Sequence, residues 1–351
     1  MIDIRNLCVE LGRFALRDIS LKVETGEYFI ILGPTGSGKT VLLETIAGIC
    51  PCRSGQIWLD GRNVTGLSPD TRQVGIVYQD NALFPHLSVR ENIIFGLRMR
   101  RTRPRELKSK LEGVVQLLGL GPLLRCWPAT LSGGEKQKVA LARAIVTSPE
   151  ILLLDELLGA LDPETRENVQ QELRKLHTGL AITVLHVTHD FEEAMTMGKR
   201  LAVIGEGALK QVGTTEEVFR RPNSEFVARF VMTRNIFRGT VARKFDGATV
   251  FRTGSLELIS ETVVSDGGCH ASIRPEDVLI SVEPARNGGW NSLPSIVTGI
   301  VDKGSILNVT VSLPPDLVCM VTRHQAAEMG LRVGQPVWVA FSPSSVHLFK
   351  G

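Results

Sequence analysis

The sequence lacks the features that would take it out of the ordinary globular class. It has no excess of one charge: 40 Lys+Arg against 37 Asp+Glu leave +3, too small a balance to point to nucleic acid as a partner. No apolar run reaches the about 18 residues that a membrane-crossing helix needs, and the stretch 151–161 is broken by Asp155 and Glu156. Residues 1–10 show no charged segment leading into an apolar core, so a secretion signal is not expected and a cytosolic location is. The cysteines (Cys8, Cys50, Cys52, Cys126, Cys269 and Cys319) are scattered and form no CxxC pair. They read as small buried hydrophobes rather than a metal or disulfide set. At 43% hydrophobic and 22% charged, the composition excludes collagen-like and disordered chains, and 351 residues suffice for two or three domains.

The patterning changes along the chain. Ile2 to Ile4 and Ile19 to Val23 look strand-like, and Tyr28 to Leu32 is a short apolar run ending in a Gly-rich loop. Residues 41–49 look helical, and helical patterning dominates from about 85 to 150, most clearly over Leu107 to Leu118. Ile151 to Leu154 and Ile182 to Val187 are nearly continuous apolar runs, as in strands of a parallel sheet buried on both faces. This predicts an α/β domain over 1–232 with a helical subdomain at about 85–150. Beyond Val231 the segments become short, β-branched and punctuated by Gly, Pro, Asn and Asp, which predicts a small all-β domain over 233–351. Asn235 to Val241 and Asn291 to Val297 form a weak internal repeat.

Three motifs carry chemistry. Gly33, Pro34, Thr35, Gly36, Ser37, Gly38, Lys39 and Thr40 fit G-x-x-x-x-G-K-[ST] between a strand and a helix. There, backbone N–H groups and the helix dipole would cradle phosphates. Lys39 would reach the β- and γ-phosphates of a nucleotide, and the Thr40 hydroxyl would bind Mg²⁺. Ile151 to Glu156 is a buried strand delivering two carboxylates at its C-terminal tip, with Asp155 the expected Mg²⁺ partner and Glu156 the acceptor of the attacking water's proton. Leu131, Ser132, Gly133, Gly134 and Glu135 open an Ala-rich helix, where Ser132 can act as N-cap and the helix start as a second anion site.

With that third motif the chain resembles the ATP-binding cassette family, the motor subunits of ABC transporters. The resemblance covers residues 1 to about 230. It implies a P-loop NTPase fold and a head-to-tail homodimer, in which the 131–135 signature meets ATP held by the partner subunit's phosphate loop. It also implies Gln79 as the Q-loop residue near Mg²⁺ and the attacking water. Gly159, Ala160, Leu161 and Asp162 match the D-loop that crosses the interface, and His189 matches the switch residue at the γ-phosphate. The family's adenine-stacking aromatic aligns with Leu11, and Phe14 is the nearest substitute. Leu157 and Gly159 replace the usual Pro and Ser. Since no catalytic group is lost, an active ATPase is expected. Two separate permease subunits must carry the cargo. Asn81 to Arg103 would form part of their dock, through Phe84, Pro85 and Phe95. The basic cluster Arg98, Arg100, Arg101, Arg103 and Arg105 reads as a membrane-facing patch and at least as well as a solvated helix face.

The tail resembles the C-terminal extension of importer ATPases on Ile273 to Val278. It further resembles the small OB-like β-barrel of molybdate-handling proteins, on Val321 to Arg323, Ala326 to Leu331, Gly334 to Val337, Ala340 to Phe341 and Ser344 to Val346. As a whole the chain is similar to molybdate/tungstate importer ATPases of the archaeal type. This implies uptake driven from the cytoplasmic face of the membrane, with an extracytoplasmic oxyanion-binding protein as an indirect partner. It also implies molybdate or tungstate as a regulatory ligand of the tail, held by Asn291, Ser292, Ser344 and Ser345. Trp290, Ser295 and Ser342 stand where that motif usually has Arg, Gly and Lys. Two readings of the tail therefore stand side by side: an oxyanion sensor and a dimerisation module. Importers of sulfate, iron or sugar, and a soluble non-transport ABC ATPase, are the alternatives for the whole.

Overall fold

The computed structural model describes residues 1–159, 161–245, 248–264, 267–284 and 290–350. Two compact units divide the chain between Thr215 and Glu216, ahead of the change in sequence texture near Val231 from which the 232/233 boundary was read.

The first unit opens with an antiparallel sheet of β1 (Ile2–Leu11), β2 (Phe14–Val23), β4 (Ser54–Leu59) and β5 (Arg62–Asn63), in the order β2-β1-β4-β5. Its inward residues, among them Ile2, Ile4, Leu7, Ile19 and Ile57, pack on the flank of α1 (Lys39–Ala47). The second sheet is the one that positions chemistry. It comprises β3 (Tyr28–Leu32), β6 (Val74–Val77), β7 (Ile151–Asp155), β8 (Thr183–Thr188), β9 (Arg200–Gly205) and β10 (Ala208–Thr214), ordered β10-β9-β3-β8-β7-β6. All neighbours run parallel except β10 against β9. β3, β7 and β8 are buried at every residue, which is why they read as unbroken apolar runs. Their parallel register puts Leu32, Asp155 and Thr188 at one edge of the sheet, where α/β folds bind ligands.

Three helices fill the span predicted as the helical subdomain: α2 (Val89–Met99), α3 (Pro104–Leu118) and α4 (Gly133–Ile145). Capping boxes start α2 at Ser88 with Glu91 and α4 at Ser132 with Glu135. α2 and α3 both pack on α4. α5 (Pro163–Leu180) and α6 (Phe191–Met197) complete the unit.

The second unit takes up α7 (Thr215–Arg220) from Glu216 onward, then α8 (Glu225–Phe230), and is otherwise β-rich as expected. One antiparallel sheet holds β11 (Asn235–Phe245), β12 (Ala248–Thr253), β13 (Leu256–Ser260), β14 (Gly268–Ile273) and β20 (His347–Phe349), ordered β13-β12-β11-β14-β20. The other holds β15 (Leu279–Ser281), β16 (Asn291–Asp302), β17 (Ile306–Val311), β18 (Leu317–Thr322) and β19 (Pro336–Phe341), ordered β15-β19-β16-β17-β18, with α9 (Arg323–Glu328) after β18. Phe251, Phe341, Leu258, Val309, Cys319 and Val339 lie in the core between them.

The weak sequence repeat proves to be a structural one. Asn235 starts the central strand β11, and its amide bridges both backbone groups of Val318 on the edge strand β18 of the other sheet, at 2.7 and 2.9 Å. Asn291 starts β16 and makes the same bridge to Ile259 on edge strand β13, at 2.7 and 3.0 Å. Each long strand then slips register after the matching valine, Val241 and Val297. Each sheet also sends a strand into a one-turn 3-10 helix, Pro275–Asp277 after β14 and Pro343–Ser345 after β19.

Candidate nucleotide site

The loop from β3 into α1 is shaped by close contacts that only glycine allows. A Cβ on Gly33 would meet Ile204 Cγ2 of β9 and the Ser37 hydroxyl at 2.8 Å. Gly38, the N-cap of α1, has φ 100°, and the Phe14 ring and Leu16 fill the space behind it. Phe14 thus stands at the back of the phosphate loop. Lys39 is buried, and its ammonium donates to the carbonyls of Gly33 and Pro34 at 3.0 and 3.2 Å, so its charge sits inside the loop.

Around that charge the sheet edge assembles the residues read from the sequence. The Thr40 hydroxyl donates to Asp155 Oδ1 at 3.1 Å. Burial pushes the Asp155 carboxyl above the usual carboxylate range, and this bond opposes the shift. The two carboxylate oxygens of Glu156 face different partners: Lys39 Nζ lies 3.3 Å from one, and His189 Nδ1 lies 3.2 Å from the other. Glu156 holds φ 44°, left-handed backbone for a non-glycine residue, and its N–H donates to Val187 of β8 at 2.9 Å. Strain of this kind persists where surrounding contacts over-determine it. Here they turn the carboxylate out of the strand line toward His189. Gln79 shares the wall of a cavity of about 600 Å³ with Asp155, Tyr78, Asp80 and Ala82. Thr40, Asp155 and Gln79 offer oxygen donors only, a set that suits Mg²⁺.

The signature residues stand apart from this cluster within one chain. Ser132 and Glu135 are engaged with each other in the cap of α4. Among the described residues no hydrogen bond or ion pair joins 131–135 to 33–40. Leu131 is buried, while Ser132 and Gly133 are exposed. Asp162 caps α5 by accepting from Thr165 N–H at 3.0 Å. A Cβ on Gly159 would lie 3.9 Å from His189 Cε1, so Gly159 stands beside that ring; Ala160 is outside the described residues.

Two residues that motif reading missed tie these pieces together. Gln137, buried on α4, donates to the carbonyl of Leu157, directly after Glu156. Arg143, further along α4, donates to the carbonyls of Asn81 and Ala82 at 3.1 and 2.7 Å and lies over the Phe84 ring. Gln137 sits on the face of α4 that the Ala-rich pattern marks as buried, and a glutamine there is the signal that could have singled it out; Arg143 is half-buried on a different face of the helix.

In the second unit, Ser344 and Ser345 line a cavity of about 590 Å³ with Thr233, Ser272, Arg220, Arg221, Arg274 and His347 among others. Asn291 and Ser292 are not on its wall. The Asn291 amide is consumed by Ile259, and the Ser292 hydroxyl is buried without a partner. The structure thus gives the predicted oxyanion set two addresses rather than one. Arg220, Arg221 and Arg274 line the same cavity, as do Glu216, Glu261 and Asp277; Arg274 donates to the Phe219 carbonyl and pairs with Glu276.

Comparisons with known proteins place the chain in a family. The ABC transporter family model matches residues 16–159, and the TOBE domain model matches 289–348. The molybdate/tungstate import ATP-binding protein of Pyrococcus horikoshii is 40% identical over 350 residues, covering 99% of this chain and all of its own. The spermidine/putrescine import ATP-binding protein of Thermobifida fusca is 36% identical, over 96% of this chain and 89% of its own. Among solved structures, a dimeric ATP-binding cassette in a post-hydrolysis state with ADP and Pi is 28% identical, with a TM-score of 0.56. It covers 61% of this chain and 99% of its own. With the phosphate loop, the carboxylate pair and the signature helix in place and relatives alike from end to end, the chain belongs to the ATP-binding subunits of the ABC transporter family and carries a TOBE domain in its second unit.

Proposed function

We propose that this ATPase powers the import of molybdate or tungstate through two separate permease subunits, as a homodimer on the cytoplasmic face of the membrane. The observation that carries the chemistry is the convergence of Lys39 and His189 on the two oxygens of Glu156 beside the phosphate loop. The cargo rests on the end-to-end likeness to molybdate/tungstate import proteins.

ATP phosphates occupy the backbone cradle of 33–38, and Lys39 turns from Glu156 to the β- and γ-phosphates. Glu156, relieved of that cation, takes the proton of the attacking water. His189 keeps the base in place and contacts the γ-phosphate. Thr40, Asp155 and Gln79 would hold Mg²⁺, which would supply positive charge against the phosphates. Residues 131–135 complete the site of the partner subunit, which the exposed Ser132 and Gly133 leave open to approach. Asn81 to Arg103 docks the permease. Arg143 carries the state of α4 to that dock through the carbonyls of Asn81 and Ala82. In the second unit the Ser344–Ser345 cavity is the better address for a regulatory oxyanion, since hydroxyls and three arginines line it, with Glu216, Glu261 and Asp277 on the same wall. Oxyanion bound there restrains turnover when the cell is replete.

The test is ATP turnover by the chain assembled with its permeases. Binding protein loaded with molybdate or tungstate is expected to stimulate it, and binding protein offered sulfate or spermidine is not. The Glu156→Gln variant should lose about a hundredfold or more in kcat. Stimulation by sulfate or spermidine would reassign the cargo, and full activity of the variant would reassign the base.

A further inference from the structure

Beneath the nucleotide site lies a buried polar chain that the reaction as described does not use. Tyr28 on β3, His186 on β8 and Glu193 in the first turn of α6 are all buried. The Tyr28 hydroxyl is 3.1 Å from His186 Nδ1, and His186 Nε2 is 3.6 Å from Glu193 Oε2. Burial raises the Tyr28 phenol far above its ordinary range, so Tyr28 keeps its proton and donates to Nδ1. The neutral ring then carries its own proton on Nε2, aimed at Glu193. Neither Glu193 oxygen nor His186 Nε2 has a hydrogen-bond partner of good geometry, although the Thr188 hydroxyl is near enough to favour the carboxylate.

Such a pair is costly. An imidazole Nε2 and a carboxyl without good partners weaken a core that apolar side chains of similar volume would hold better. What the pair touches gives a reason for it. His189 is flanked by Thr188 and Asp190. The Asp190 N–H donates to the Thr188 hydroxyl at 3.0 Å. The Asp190 carboxylate accepts from the N–H groups of Glu192 and Glu193 at 2.7 and 3.2 Å, and from Arg166 of α5 at 3.2 Å. The backbone on both sides of His189 is therefore fastened to the first turn of α6. From that turn the Glu193 side chain reaches His186 on β8.

We propose that Glu193, braced against His186, is a positioning residue for His189: it holds the first turn of α6 on the sheet so that the His189 ring stays against Glu156. Glu193 itself touches no nucleotide and acts through the Asp190 cap. The proposal rests on the ATPase reading of the site, in which His189 serves the reaction.

The experiment compares ATP turnover by full-length Glu193→Leu, Glu193→Gln and His189→Ala, and by the Glu193→Leu/His189→Ala pair, with thermal unfolding of each. Leucine fills the space and keeps the fold, so Glu193→Leu should melt no lower than wild type. Its kcat should fall about tenfold with KM for ATP unchanged. Glutamine can still accept from His186 Nε2–H and should restore kcat to within about twofold. In the His189→Ala background the leucine should cost nothing further, because the residue through which it acts is gone. If Glu193→Leu does not fold, His186→Phe removes the other end of the contact and carries the same expectation. Wild-type kcat in Glu193→Leu, or an undiminished loss in the His189→Ala background, overturns the proposal and leaves the ATPase reading standing. Wild-type kcat in His189→Ala removes the role of His189, and the proposal falls with it.

Discussion

At the scale of single residues, burial sets two opposed titrations in one place. His186, enclosed completely, has its pKa lowered to about 4, and Glu193 has its carboxyl raised to about 7, both chiefly by desolvation. Their contributions to stability run in opposite directions. His186 is neutral in the fold but protonates below about 6.5 when unfolded, so its contribution is lost as pH falls from about 6.5 to 4. Glu193 keeps its proton in the fold up to about 7 and loses it near 4.5 when unfolded. Its contribution is therefore present below about 4.5 and is lost as pH rises to 7. Over the shared window the two slopes offset each other in the wild type. Glu193→Gln removes one of them, and the remaining carboxylates cancel in the comparison of the two proteins. The stability of the variant relative to wild type should therefore climb by on the order of 3 kcal/mol between pH 4.5 and 7. Thermal unfolding at a series of pH values measures this, and parallel curves for the two proteins would refute it.

At the scale of elements, legibility followed how directly a residue's type records its surroundings. The phosphate loop, β7 with its carboxylate tip and the cap of α4 were readable because each needs particular residues at fixed spacing: glycines against β9 and Phe14, an unbroken apolar strand, a Ser with Glu three residues on. Arg143 and the Tyr28–His186–Glu193 chain were not readable, and Gln137 only as a polar residue on an apolar face, because their partners are distant in sequence and nothing local to them records the pairing. The tail shows the same limit from the other side. Asn291 fits an oxyanion motif, yet in the fold its amide closes the edge strand β13 as Asn235 closes β18. That equivalence makes a prediction. Asn291→Ala and Asn235→Ala each leave a backbone N–H and C=O without partners. Both should therefore destabilise the full chain, by about 2–4 kcal/mol. Chemical unfolding followed by a probe of the second unit would show it. A stability loss at Asn235 but none at Asn291 would return Asn291 to the ligand set.

At the scale of the whole molecule, one unit carries the nucleotide site and the other a cavity lined by hydroxyls, arginines and carboxylates. If oxyanion in the second unit restrains ATP turnover in the first, the coupling is a free energy shared by two ligands, and it must be reciprocal. Molybdate has to prefer the state that ATP disfavours. Whatever factor molybdate takes from ATP affinity, ATP must take from molybdate affinity, and a typical coupling of about 1–3 kcal/mol corresponds to roughly 5–150-fold. The Glu156→Gln variant allows the measurement, since ATP then persists through a calorimetric titration. Molybdate titrated into the full-length variant with and without saturating Mg·ATP should give dissociation constants that differ by the same factor as those for ATP with and without molybdate. Substituting Arg274, which lines the cavity and is remote in sequence from every nucleotide-site residue, should abolish the molybdate arm while ATP still binds with its unmodified affinity. Equal molybdate constants in both conditions would remove the inhibitory role and leave the second unit a module for holding subunits together. A coupling that survives loss of Arg274 would move the oxyanion site away from the Ser344–Ser345 cavity while keeping the regulation.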